Sequence, residues 1–310
     1  MVAEEYIENG FPVSTVLSLI GLSRSSYYYT PKGTKRGKRA SEFVFKKEGS
    51  ALPLSKVVED IETLLNGEFV DYGYYKTYIH LTRKLGYLIG SSRVYLLMKQ
   101  HHLLKFQRAD KKRNARNWVK DLVPNPTTEF SFLEFDIKFM YVAGKRTNVQ
   151  ILTILDVFSR WNLGQYINWG IKSENVIELF EEVFKTYPMP DKFIVRNDNG
   201  SQFEADIVQK YLKEKRVIQE FTKPATPQQN AHIESYHSIM ESAVCRRIEF
   251  EDLDDVRDKM ARFKEFYNFE RIHGGIGHQS PYEYLLQKGT DMKASSRLKS
   301  YFYPYSKKIN

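Results

Sequence analysis

The sequence predicts an α/β protein in which a mixed sheet is covered by helices and follows small all-α units. Residues 130–168 contain three consecutive stretches in which apolar and polar residues alternate, as strands with one buried face require. Beyond them, apolar residues at helical spacing alternate with short apolar runs, a pattern typical of helices and strands built around one sheet. The first hundred residues show helical spacing instead.

The N-terminal residues predict a helix-turn-helix-like unit inside a first domain of residues 1–50, which ends in a basic linker. Ser14 is the predicted cap of one helix, Gly21 the turn, and Ser23 the cap of a second helix over residues 24–29. Such a pair can place a helix in a DNA groove, although helical hairpins with other roles share this outline. Arg24 and Ser25 are therefore candidate DNA contacts.

A second helical domain with DNA-binding character is predicted over residues 51–121. Its first helix should carry apolar residues over about 55–65, its second should open within 71–76 and run to 85, where Gly86 can end it, and its third should span 92–101. A basic run follows between residues 105 and 120, where seven cations accompany one acidic residue. Such a run is either a solvated linker or a track for a nucleic-acid backbone. The candidate DNA contacts in it are Lys111, Lys112, Arg113 and Arg116.

A third domain, residues 122–250, should contain the sheet, and residues 251–310 should form a C-terminal helical extension and tail. The order of the patterns predicts three strands, followed by helices that alternate with two further strands. The predicted strands are 130–142, 149–157, 162–168, 192–197 and 217–221, and the predicted helices are 174–187, 203–215 and 231–248.

Three carboxylates lie at informative positions in this third domain. Asp136 lies within the first strand, Asp198 follows the strand at 192–197, and Glu234 lies in the first turn of a helix that begins after Asn230. Oxygen donors on rigid elements suit Mg²⁺ or Mn²⁺ better than zinc, and two such ions can support phosphoryl transfer. Isolated acidic residues are more often solvated surface groups, so the surrounding sequence decides between the two interpretations.

The surrounding sequences resemble the retroviral-integrase-like transposases, and in particular the OrfB proteins of the IS-three family of bacterial insertion sequences. The matching segments are LTILDVFSR at 152–160, NDNGSQF at 197–203, TPQQNAHIES at 226–235, and YNFERIH at 267–273 with SPYEY at 280–284. The resemblance implies an RNase H-like core with Asp136, Asp198 and Glu234 as catalytic residues and ligands of two Mg²⁺ or Mn²⁺ ions. It also implies DNA cleavage and strand transfer at terminal inverted repeats.

The resemblance extends to partners and shows two departures. It implies double-stranded DNA, both as element ends and as target, a homo-oligomer on DNA, and an OrfA partner or fusion. Arg196 and Asn197 stand where many members have His-Ser. Ser238 and Glu241 follow Glu234 where retroviral integrases carry DNA-binding lysines, so His237, Arg246 and Arg247 are substitute candidates for DNA contact. Asn230 could position Glu234, position a DNA phosphate or cap its helix.

Charge and composition narrow the class of protein. Residues 1–121 contain 21 Lys and Arg against 12 Asp and Glu, whereas residues 122–310 contain 26 of each, so the whole excess of +9 precedes the core. This division predicts that phosphate affinity is concentrated in the N-terminal part. The single cysteine, Cys245, excludes an intramolecular disulfide and, with no cysteine pair, a zinc module. No apolar run reaches membrane-spanning length and no signal peptide is visible, so we expect a cytoplasmic, nucleoid-associated protein without membrane contact.

Two other functions remain open from the sequence. A stand-alone RNase H-like nuclease would keep the three carboxylates without needing the flanking segments. A domesticated DNA-binding regulator would keep the basic N-terminal part but is expected to lose a carboxylate. Asp156 could be a fourth carboxylate of the site, but its position before Ser159 and Arg160 at a strand end favours a role in a turn or an ion pair. Arg271 and His273 could contact DNA or hold the last helix in place.

Overall fold

The computed structural model describes residues 2–30, 41–105, 123–223 and 227–290. Contacts between Cα atoms divide the chain into two compact units, Met1–Glu42 and Phe43–Asn310. The basic run that contains Lys111, Lys112, Arg113 and Arg116 lies outside the described residues. The finer division into four domains remains a prediction.

The first unit contains the helices that the sequence predicts for a helix-turn-helix-like unit. The Ser23 hydroxyl accepts a hydrogen bond from the Ser26 backbone N–H at 3.1 Å, and Gly21 adopts a φ of +68°, so the predicted cap and turn are both present. The predicted cap at Ser14 is wrong, because that residue lies inside a helix whose N-cap position is occupied by Pro12 without a side-chain hydrogen bond. The helices are α1 (Val2–Glu8), α2 (Val13–Leu19) and α3 (Arg24–Tyr27).

The second unit begins with a short antiparallel hairpin, which the sequence patterns did not predict, followed by three helices. Buried apolar side chains of the hairpin and of all three helices form one cluster, which includes Val44, Ile61 and Met98. Gly86 has a φ of +72° just beyond the middle helix, as predicted. The elements are β1 (Phe43–Phe45), β2 (Ala51–Pro53), α4 (Leu54–Leu65), α5 (Tyr74–Arg83) and α6 (Ser91–Gln100).

A five-stranded mixed sheet forms the centre of the second unit, in the order β5-β4-β3-β6-β7. The first three strands pair antiparallel, and β6 and β7 add in parallel, which is the RNase H-like arrangement that the sequence predicts. The predicted strand ends agree within two residues. The strands are β3 (Phe132–Val142), β4 (Thr147–Asp156), β5 (Asn162–Asn168), β6 (Phe193–Asn197) and β7 (Val217–Phe221).

Helices cover both faces of the sheet, because the central strands bury alternate residues on opposite sides. On β4, Leu152 and Ile154 join a core with α7 and α9, whereas Ile151 and Leu155 join a second core with α10 and α11. These helices are α7 (Ser173–Thr186), α8 (Ser201–Glu204), α9 (Asp206–Glu214), α10 (Ala231–Met240), α11 (Leu253–Glu265) and α12 (Pro281–Gln287). No helix in these described segments is long and apolar enough to cross a membrane.

Two predicted helices are interrupted. The helix predicted over 203–215 is split into α8 and α9 because Ala205 takes an extended backbone, with ψ at 133°. The helix predicted over 231–248 keeps α-helical geometry only to Met240 and continues as a π-helical segment, Glu241–Cys245. Cys245 is half-buried and packs against the core beneath this helix.

A buried ion pair joins the helical segment that precedes the sheet to the segment that follows the sheet. One Arg271 guanidinium nitrogen donates to both Asp71 oxygens, at 2.7 and 2.8 Å, and the Arg271 side chain is 3% exposed. The Tyr72 hydroxyl accepts from the Ile272 backbone N–H at 3.0 Å. His273 is also buried, with its ring 4.5 Å from that of Tyr267. Arg271 and His273 therefore hold the C-terminal segment in place. Of the two roles that the sequence left open, DNA contact and holding the last helix, this is the second.

Candidate active site

Asp136 lies on β3, the middle strand of the sheet, on the face covered by α10. One of its carboxylate oxygens accepts a hydrogen bond from the Ile137 backbone N–H at 2.8 Å. Burial, followed by the negative charges of Asp198 and Glu234, raises the pKa of Asp136 to about 7. Asp136 is thus held in a rigid strand, in a place where negative charge is crowded.

The parallel pairing of β3 with β6 explains why Asp198 lies close by. Glu134 stands opposite Arg196 in this register, and Asp136 and Asp198 each follow two residues further along. Asp198 lies in the turn after β6, where its side chain accepts from the Gly200 backbone N–H at 3.0 Å. This local hydrogen bond fixes an exposed carboxylate at the end of a central strand.

Glu234 lies in the first turn of α10, across the sheet face from the two aspartates, and its side chain is exposed. Partial burial and the negative charge of Glu134 raise the pKa of Glu234. The charge of Glu234 in turn acts on Asp136. The three carboxylates selected from the sequence therefore lie close enough together for the charges of Asp198 and Glu234 to act on Asp136.

The chemistry of the Asp136, Asp198 and Glu234 side chains suits a divalent cation. All three groups supply hard carboxylate oxygens, and a bound cation would stabilise the ionised form of Asp136, whose pKa is raised by burial and by the nearby negative charges. Within the described ranges, no three His, Cys, Asp or Glu side chains lie close enough together to hold a metal ion. A shared ion would therefore require a closer approach of these side chains, for which the exposed Glu234 and Asp198 have room.

His237 lies beside Asp136 and not on an exposed surface. Its Nδ1 atom is 3.6 Å from an Asp136 oxygen, and its side chain is 11% exposed. Burial, followed by the positive charge of Lys138, lowers the pKa of His237 to about 4, so the ring is neutral at pH 7. Its Nε2 atom is buried and makes no hydrogen bond to the described residues. The side chain selected as a DNA contact thus lines the carboxylate site.

The remaining candidates lie in different places. Asn230 occupies the N-cap position of α10 but is buried, and its side chain makes no capping hydrogen bond. Arg24 and Ser25 are both exposed at the start of α3, in the first compact unit. The structure therefore leaves Arg24 and Ser25 accessible to a ligand and encloses Asn230.

Two residues near the site have contacts that the sequence did not indicate: Glu134 was not singled out, and Arg196 was noted only as a departure from the family pattern. Glu134, which is fully buried, accepts hydrogen bonds from the Ile233 backbone N–H and from His232. Arg196 donates to a Glu220 oxygen at 2.9 and 3.1 Å and to the Gln229 carbonyl at 3.0 Å. The available signal for Glu134 was its position two residues before Asp136, on the same face of a strand.

Asp156, by contrast, has the turn role that the sequence suggested. Its carboxylate is fully buried and accepts from the backbone N–H groups of Phe130 and Ser159, at 3.1 and 2.9 Å, and from the Ser159 hydroxyl. Burial raises the pKa of Asp156 to about 6 despite these hydrogen bonds. Asp156 therefore closes the connection between β4 and β5.

Comparisons with known proteins match the part of the chain that contains these carboxylates. Two family models, both described as integrase core domain, match residues 126–227 and 215–281. The chain therefore carries an integrase core. It is related to transposases of bacterial insertion sequences, which confirms the resemblance seen in the sequence.

Three relatives illustrate this relationship. An uncharacterised protein of insertion element IS476 from Xanthomonas euvesicatoria is 26% identical over 65% of this chain and 57% of its own length. The transposase for IS904 from Lactococcus lactis is 25% identical over 46% of this chain and 57% of its own. The chain thus spans somewhat over half the length of these two proteins. The putative transposase InsK for IS150 from Escherichia coli is 21% identical over 89% and 94%.

Among solved structures, the catalytic core domain of BIV integrase is similar, with a TM-score of 0.40 and 19% identity. The similarity covers 52% of this chain and 97% of that domain.

Proposed function

We propose that the chain is the transposase of a bacterial insertion sequence and that it cleaves and joins DNA strands at the terminal inverted repeats of the element. The observation that supports this most is the placement of Asp136, Asp198 and Glu234. They come from two adjacent central strands and a facing helix, and the charges of Asp198 and Glu234 both act on Asp136. The integrase core match over the same residues gives independent support.

In this proposal, Asp136, Asp198 and Glu234 hold two Mg²⁺ or Mn²⁺ ions. When bound, such ions activate an attacking oxygen and stabilise a leaving one during in-line phosphoryl transfer. Asp136 supplies its oxygens from a strand that is hydrogen-bonded on both sides, and Asp198 from a turn closed on Gly200. Glu234 completes the set from α10. The buried, neutral His237 ring borders Asp136 and restricts access of water on that side.

DNA contacts and partners belong to the same proposal. Arg24 and Ser25 would read element ends, and the basic run containing Lys111, Lys112, Arg113 and Arg116 would bind phosphates. Asn230 and His237 would act close to the carboxylates, where burial favours a positioning role over direct phosphate contact. The proposal also includes a homo-oligomer on DNA, an OrfA partner and action at the nucleoid, which the resemblance to insertion-sequence transposases implies.

The test uses the full chain and labelled duplexes that carry the inverted repeats found beside its gene. In the presence of Mg²⁺ and a target plasmid, the proposal expects end cleavage followed by joined product. Cutting of unrelated duplexes without joining would support the stand-alone nuclease instead. Binding to DNA without any cleavage in Mg²⁺ or Mn²⁺ would support the domesticated regulator.

A further inference from the structure

Glu134 is a fully buried carboxylate whose two oxygens both face the start of α10. One oxygen accepts a hydrogen bond from the Ile233 backbone N–H at 2.7 Å, and the other lies 3.0 Å from His232 Nδ1. These partners are consecutive residues, and Glu234 follows them directly. A single carboxylate therefore holds the backbone and a side chain immediately before a proposed metal ligand.

The hydrogen bond to Ile233 replaces a missing helix cap. The first N–H groups of a helix have no partner within the helix, and an N-cap side chain usually accepts from one of them. Asn230 occupies that position in α10 without making such a bond. Glu134 satisfies the Ile233 N–H from the neighbouring strand, and its negative charge lies at the positive end of the helix dipole.

Two further contacts along the same strand and helix extend this arrangement. Asp136 lies 3.6 Å from His237, and Lys138 forms an ion pair with Glu241 at 3.1 Å. Alternate residues of a strand share one face and are spaced by about 6.6 Å, while successive turns of a helix are spaced by about 5.4 Å. The strand and helix therefore run side by side in register, and Glu134 makes the first contact in the series.

We propose that Glu134 is a positioning residue that fixes the start of α10 on β3 and thereby holds the Glu234 backbone where the exposed Glu234 side chain can approach an ion shared with Asp136. This inference rests on the proposed function. Glu134 does not itself bind a cation, because its side chain is buried and both of its oxygens already face α10. It acts through the helix that carries Glu234.

The test compares three substitutions in the full chain. Glu134→Ala removes both hydrogen bonds. Glu134→Gln preserves the shape, because its amide oxygen can accept from Ile233 and its amide nitrogen can donate to an unprotonated His232 Nδ1. Asp156→Asn is the matched control, since Asp156 is an equally buried carboxylate that accepts backbone N–H groups outside the site.

The first readout is Mn²⁺ binding without DNA, measured by electron paramagnetic resonance of the free ion. Residues that orient metal ligands typically contribute roughly 10- to 100-fold to metal affinity or activity. Glu134→Ala should therefore weaken Mn²⁺ binding at least about tenfold, while Glu134→Gln and Asp156→Asn should stay within about threefold of the unsubstituted chain. The second readout, strand joining, should show a lower kcat for Glu134→Ala at an unchanged KM for DNA.

Three results would overturn the proposal. These are unchanged Mn²⁺ affinity in a folded Glu134→Ala protein, equal losses in Glu134→Ala and Glu134→Gln, or an equal loss in Asp156→Asn. If Glu134→Ala does not fold, His232→Ala removes one of the two contacts and should still weaken Mn²⁺ binding by roughly three- to tenfold. Unchanged affinity in that variant would be equally contradictory. Mn²⁺ binding by a chain that never joins DNA would refute the proposed function while leaving the Glu134 comparison intact.

Discussion

Lys264 shows how a single buried cation makes stability depend on pH. This residue on α11 donates to the Leu163 carbonyl of β5 at 3.1 Å, and burial lowers the pKa of Lys264 to about 8. Its pKa in the unfolded chain is about 10.4, so the unfolded state binds more protons between pH 8 and 10. Stability contributed by Lys264 must therefore rise with pH across this window.

The expected size of this effect can be measured with Lys264→Met. From a shift of about 2.4 pKa units, Lys264 should add about 2 kcal/mol to the free energy of unfolding between pH 8 and 10. Urea unfolding of both proteins at these two pH values should show a smaller rise in the variant by about that amount. Parallel rises in the two proteins would contradict the assignment.

Residues of the candidate site differ in how readily a sequence can reveal them. Asp136, Asp198 and Glu234 were selected because each lies in a short, characteristic segment. Glu134 was missed because its partners lie 98 and 99 residues away, and nothing local marks a buried carboxylate as a cap for a distant helix. His237 was selected for a surface role, whereas packing turns it towards Asp136.

At the scale of elements, prediction succeeded where local pattern determines structure. The alternating apolar residues placed all five strands of the main sheet within two residues of their observed ends. In the π-helical segment after α10 the Arg246 backbone N–H donates to the carbonyl of Glu241, five residues earlier. This change could not be predicted, because no local pattern shows how Ala243 and Val244 pack in the core. The β1–β2 hairpin was missed because its strands are only three residues long.

The Asp71–Arg271 pair gives a prediction about how these elements are held together. Arg271→Met leaves a buried Asp71 charge unpaired and should cost about 3–5 kcal/mol of unfolding free energy. The double variant Asp71→Leu, Arg271→Met should cost less than Arg271→Met alone, because the Asp71 carboxylate is then no longer buried without its partner. Urea unfolding of both variants measures this difference.

An exposed pair in the same unit supplies the control. Arg262 lies 2.8 Å from Glu68, and both side chains are 42% exposed. Arg262→Met should cost no more than about 1 kcal/mol, since water screens exposed ion pairs. Similar losses from Arg262→Met and Arg271→Met would show that burial does not determine the strength of the Asp71 contact.

At the scale of the whole molecule, the charge division predicts how DNA binding is distributed. All of the formal excess of +9 precedes residue 122. Replacing Lys111, Lys112, Arg113 and Arg116 by Gln in the full chain should lower the log–log salt slope of DNA binding by roughly 3 to 4, because each engaged cation releases about 0.9 counterion. The loss should be the same for element ends and unrelated duplex.

Arg24→Ala with Ser25→Ala is the matching comparison, because α3 is the helix that we propose to read base edges. This pair should reduce the preference for element ends while changing the salt slope by about 1 at most. Filter binding at several salt concentrations measures both effects. Equal losses of preference from the two sets of substitutions would contradict the separation of base reading by α3 from phosphate binding by the basic run.

The central claim is that Asp136, Asp198 and Glu234 together carry metal-dependent DNA joining. Its most direct test is the Mg²⁺-dependent joining of labelled element ends by the full chain and by Asp136→Asn, Asp198→Asn and Glu234→Gln. Each substitution removes a charge that holds a cation but preserves side-chain shape. We expect joined product only from the unsubstituted chain, with end binding retained in all three variants. Mg²⁺-dependent joining by any one variant would remove that residue from the site and contradict the account.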